Sequence, residues 1–175
     1  MILFNEVNLK EMKWIQRSIT QDELVSGNDV LGALHWANSW GSLASAESAY
    51  GKWTFKRVGF VHPKISIRTP DQKSNLHIAE VSWNGEATLK VLDQGTFRWT
   101  PNTWHTKWTL LDDNKKEVMK IELSGFLNVS GNLTVANPSI PYPTLSLLAL
   151  LGWYLIMLVL QDDASSTAAI VATMN

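Results

Sequence analysis

The chain contains no cysteine, which excludes a disulfide scaffold, a thiolate metal site and a cysteine nucleophile together. It also has no excess of positive charge: 15 Lys and Arg stand against 16 Asp and Glu in 175 residues. Nothing global attracts a polyanion, so nucleic acid is not expected as a partner. No GxSxG elbow, P-loop, GxGxxG or HExxH occurs, and Asp112-Asp113 beside Asn114 and Lys115 is turn chemistry. Neither an enzyme nor a cofactor is therefore expected. His35, His62, His77 and His105 stand at no metal-ligand spacing, so no metal is expected either. The first residues, MILFNEVNLKEMKW, place Asn5 and Glu6 directly after an apolar start and lack the basic and long apolar regions of a signal peptide. A cytoplasmic location follows as the expectation. Asn128 and Asn132 match the glycosylation pattern, which means little without a secretory route.

What is present, from about Trp14 to Val135, is a succession of short alternating segments. Residues 53–55, 65–68, 87–91, 96–99, 107–111 and 117–123 each alternate apolar with polar, and HP, TPDQKSN, NG, DQG, TPN and DDNKK separate them. These are turns rather than linkers, so one domain over 1–163 is expected, followed by a short tail at 164–175. The first fifty residues are less legible: DVLGALHW reads as a strand or a short helix, and GSLASAESAYG as a loop of small residues. Around Asn84-Gly85, a three-residue connection would pair Trp83 with Ala87, Val81 with Leu89 and Ala79 with Val91 on the inner face, with Glu80 facing Lys90 outside.

Residues 145–160, LSLLALLGWYLIMLVL, carry no charge and are interrupted only by Ser146 and Gly152. A helix apolar on every side must be buried in protein or lipid. Its roughly 16 residues make about 24 Å, somewhat short for a hydrocarbon core of about 30 Å. Trp153 and Tyr154 sit mid-run, and Asp162 and Asp163 follow without basic flanks, so interfacial belts are missing. A buried helix at about 144–160 is the expectation, and a C-terminal membrane anchor the alternative. The strand count decides between them, because a barrel wider than eight strands has a lumen its own side chains cannot fill. An apolar helix about 10 Å across is a suitable plug.

WTFKRVGFVHPKISIR leading into a strand meander, with PYPTLSLLALLGWYLIMLVLQDD after it, resembles the tubby C-terminal-like superfamily of tubby domains, LURP-one-related proteins and phospholipid scramblases. The resemblance covers roughly residues 10–162. It implies a closed antiparallel barrel of about twelve strands enclosing a hydrophobic C-terminal helix, and association with lipid headgroups, most clearly phosphoinositides. The scramblases' acidic calcium-binding segment has no counterpart here, since the chain is uncharged from Leu123 to Gln161.

Lys52, Lys56, Arg57, Lys64 and Arg68 form a basic stretch with no acid between Glu47 and Asp71. Paired about a Val58–His62 turn, Lys56 would face Lys64 and Lys52 would face Arg68 outside, while Phe55 meets Ile65 and Trp53 meets Ile67 inside. Like charges placed opposite one another are either answered by acids on neighbouring strands or kept for an external anion. These five residues are the candidate site for an anionic membrane lipid, carried by a monomer peripheral to the membrane. A carbohydrate-binding module is a further alternative, since nine tryptophans are present. However, Trp53, Trp83, Trp99 and Trp108 fall on the core parity, leaving Trp36, Trp40 and Trp104 unassigned.

Overall fold

The computed structural model describes the whole chain except residues 40, 60, 72–73, 126–128 and 174–175, with the backbone alone at 165–173. Trp40 and Asn128 therefore lie outside the described residues. A short 3-10 turn, Phe4–Glu6, precedes the strands β1 (Met12–Ser18), β2 (Gln21–Ser26), β3 (Asp29–Trp36), β4 (Leu43–Ser48), β5 (Gly51–Val58) and β6 (Lys64–Arg68). Then come β7 (His77–Val81), β8 (Ala87–Val91), β9 (Gly95–Pro101), β10 (Lys107–Leu111), β11 (Glu117–Ser124), β12 (Ser130–Val135) and the helix α1 (Tyr142–Thr173). Each strand pairs with the next in sequence, and β12 closes onto β1, making a closed antiparallel barrel.

Alternation builds the wall. Along β8 the pattern Ala87, Leu89, Val91 points inward and is buried, and Trp53 and Phe55 do the same on β5. The lumen is filled by α1, whose Leu145, Leu148, Trp153, Tyr154 and Ile156 are nearly inaccessible. The apolar run is thus barrel core in this fold, as its all-round hydrophobicity requires. Trp14 stacks on Trp153 with ring centroids 5.2 Å apart, and Trp36 stacks on Tyr154, also at 5.2 Å.

The helix leans toward β3, β4 and β5, where several residues on the side facing it are small. Gly32, Ala44, Ala46 and Ser48 leave room, and a Cβ on Gly32 would stand 3.2 Å from Leu150 Cδ2. This is why residues 43–48, expected as a loop, form a strand: their small inward side chains are what the close helix demands. DVLGALHW is strand β3 throughout. The helix also runs on past the expected end at about 160 to Thr173, since its last turns contain several Ala and neither Gly nor Pro to stop them.

Two hairpin registers differ from the expectation by two residues, with the faces preserved. At β5–β6, Val58 pairs with Lys64, so Phe55 opposes Ile67 and Lys56 opposes Ser66 rather than Lys64. The connection, residues 59–63, lies one residue later than the expected turn, with Gly59 at φ 81° and Pro63 before the strand. At β7–β8, Val81 pairs with Ala87 and Ala79 with Leu89. The Gly85 amide donates to Ser82 O at 3.0 Å with Gly85 at φ 84°, a left-handed position that suits glycine. The chain therefore leaves the ladder at Ser82, and Trp83 is not core: it is 80% exposed.

Candidate site at the barrel mouth

Because all neighbouring strands are antiparallel, the connections after odd-numbered strands gather at one end of the barrel and those after even-numbered strands at the other. The helix starts at the second end, the base, where Tyr142 stacks on Tyr50 and Ser146 Oγ lies 2.7 Å from Ser48 Oγ. It leaves at the first end, the mouth, where the Tyr154 hydroxyl donates to Ser42 O at 2.6 Å. Burial pushes that phenol's pKa upward.

The mouth presents apolar side chains on three successive connections. Val61 between β5 and β6 is 61% exposed, Trp83 between β7 and β8 is 80% exposed, and Trp104 between β9 and β10 is 83% exposed. The turns that carry the two indoles are anchored. Asn102 Oδ1 accepts from the Thr106 and Lys107 amides at 2.9 and 3.0 Å, with His105 at φ 52°. In the other turn, the Ser82 amide donates to Glu86 O at 2.8 Å.

Between these loops and the departing helix lies a cleft of about 490 Å³, within the range of small-molecule sites. Ile65, Val81, Leu155, Leu158 and Val159 form its apolar wall, and Trp83 stands at its edge. Its polar end is an ion pair across the barrel: Arg57 Nη1 and Nη2 lie 2.5 and 3.1 Å from the Asp162 carboxylate oxygens. That bond, the largest influence on the guanidinium, raises its pKa. His105 Nδ1 lies 3.9 Å from the neighbouring Asp163.

The five basic residues proposed from sequence are not brought together as one patch. Lys52, Lys56, Lys64 and Arg68 do share the outer face, but Lys52 Nζ lies 3.2 Å from Glu47 and Lys64 Nζ 3.4 Å from Glu80. Arg68 Nε donates to Asn75 Oδ1 at 2.9 Å. Arg57 has the inward parity of Trp53 and Phe55 and belongs to the mouth. Acids on the adjoining strands β4 and β7 answer much of this charge, and Lys56 alone of the five has no hydrogen bond or ion pair among the described residues. The mouth was missed because its residues belong to three separated loops. SWNG and TWHT, tryptophans set among turn residues, were the available signal.

Comparison with family models, with curated proteins and with solved structures gives no match to this chain.

Proposed function

We propose that this chain is a non-enzymatic, tubby-like membrane-surface module that docks mouth first. Supporting this is a single observation: Val61, Trp83 and Trp104 project from adjacent loops at the end where an apolar helix leaves the barrel. Indole rings favour the headgroup boundary of a bilayer, where an apolar body and a polar N–H are both accommodated. Anchored turns lower the ordering cost of inserting them. Lys56 and Lys64, at the mouth end of β5 and β6, lie beside the loops and add attraction for anionic headgroups. The tubby resemblance points to the same class of partner.

Vesicle flotation tests the proposal with phosphatidylcholine vesicles, plain or containing a phosphoinositide. Wild type is compared with Trp83→Ser/Trp104→Ser and with a variant changing Lys52, Lys56, Lys64 and Arg68 to Gln, each confirmed folded by near-UV circular dichroism. The tryptophan variant is expected to stay in solution while the Gln variant still floats with plain vesicles. The opposite pattern moves the interface to the basic strands, and a wild type that binds neither vesicle ends the proposal.

A further inference from the structure

Beyond surface docking, we infer that the mouth cleft holds one single-chain amphiphile with an ammonium headgroup. The apolar wall of Ile65, Val81, Leu155, Leu158 and Val159 suits one alkyl chain, and a cleft of about 490 Å³ suits a small ligand rather than a peptide. The polar end selects the head. Arg57 contributes one positive charge and Asp162 and Asp163 two negative ones, so the carboxylates at the rim outnumber its guanidinium. A carboxylate or sulfate head would meet these two carboxylates, and the Arg57 guanidinium that lines the cleft is already held bidentately by Asp162. An ammonium head meets the carboxylates favourably and can rest against the face of Trp83, whose ring is almost fully open. A carboxylate has lone pairs to spare, so Asp163 can accept a cation while keeping the contacts it already makes, that with His105 among them.

The inference is tested with no bilayer present, so it fails or stands separately from the docking proposal. The probes are tetradecyltrimethylammonium, tetradecylphosphocholine and myristate, titrated calorimetrically into the full chain below their micellar concentrations. Circular dichroism verifies that the fold persists. One equivalent of the ammonium probe is expected to bind at least about tenfold more tightly than myristate, because the head contact differs in sign. Phosphocholine distinguishes the source of the ammonium: binding equal to the trimethylammonium probe indicates a zwitterionic lysolipid-like ligand, and weaker binding a free amphiphilic amine. Both results keep the inference. Val159→Arg, on a partly exposed wall position, is expected to abolish binding of the ammonium probe, and Asp163→Asn to weaken it several-fold. Equal affinity for all three heads, binding without saturation, or full affinity in Val159→Arg would overturn it.

Discussion

Gly152→Ala is a perturbation on which two physical arguments disagree, and the structure decides between them. In an exposed helix interior the change stabilises by about 1 kcal/mol, because Ala loses less backbone entropy than Gly. Here a Cβ on Gly152 would stand 2.6 Å from Trp99 Cε2 and 3.1 Å from Cη2. Trp99 is 1% exposed, and its indole N–H donates to Leu148 O at 3.2 Å. The ring cannot retreat into solvent, so it must shift within a packed lumen. Overpacking of that kind costs about 1–3 kcal/mol, and a stretched or lost buried hydrogen bond about 1–3 kcal/mol more. After the propensity gain is subtracted, a net destabilisation of about 3 kcal/mol is expected, which lowers Tm by roughly 6–12 °C for a chain of this size. Urea unfolding followed by circular dichroism measures it. A double variant with Trp99→Phe should recover part of the loss, since the smaller ring vacates the contested space. A Gly152→Ala protein as stable as wild type would refute the helix's placement against β9.

Three further outcomes are expected. Burial raises the Asp22 pKa above its ordinary 3.8, partly offset by the Trp36 indole that donates to it at 2.9 Å. The folded state thus holds that proton more tightly than the unfolded one, and the benefit is complete below the ordinary value and lost as pH rises through the raised one. The stability of wild type minus that of Asp22→Asn should accordingly fall across that window in urea titrations at stepped pH, and a flat difference would contradict it. Tyr154→Phe keeps the stack on Trp36 but leaves Ser42 O without its 2.6 Å donor, so a loss of about 1–3 kcal/mol in the same assay is expected. Arg57→Met removes a pair whose side chains are 34% and 56% exposed, so only about 0–1 kcal/mol should be lost; a drop of several kcal/mol would mean that the pair locks the helix in the barrel.

The barrel and its helix were legible because both depend on patterns that survive in one dimension. Leu145 to Leu160 is apolar on every side, and the strands β6 and β8 to β11 alternate cleanly enough to be bounded within a residue or two. Registers were less legible because they depend on where a turn closes. Gly59 and Gly85 with positive φ sit where the β5–β6 and β7–β8 turns close, so each pairing moves by two residues while the residues within the ladders keep their faces. Trp83 shows the limit of parity: it continues the inward alternation of β7 but lies past the last ladder pair, where alternation no longer applies. Strand β4 was hidden for the opposite reason, since Ala44 and Ala46 are inward because they are small, and small residues carry little hydrophobic signal. The basic stretch was visible in the chain, but the acids that answer it, Glu47 and Glu80, meet it only through the registers of β4 with β5 and of β6 with β7. Of the mouth, only the tryptophans set among turn residues were visible, since Arg57 meets Asp162 only after the helix has threaded the barrel.

Quenching of tryptophan emission by vesicles of brominated phosphatidylcholine tests mouth-first docking most directly. Trp14, Trp99, Trp108 and Trp153 are sealed in the barrel, whereas Trp83 and Trp104 stand in the loops that would enter the bilayer. Wild type should be quenched on binding, and Trp83→Phe/Trp104→Phe should bind with most of that quenching gone. Quenching of equal depth in the variant would contradict the account, since the bilayer would then be meeting some other face of the barrel.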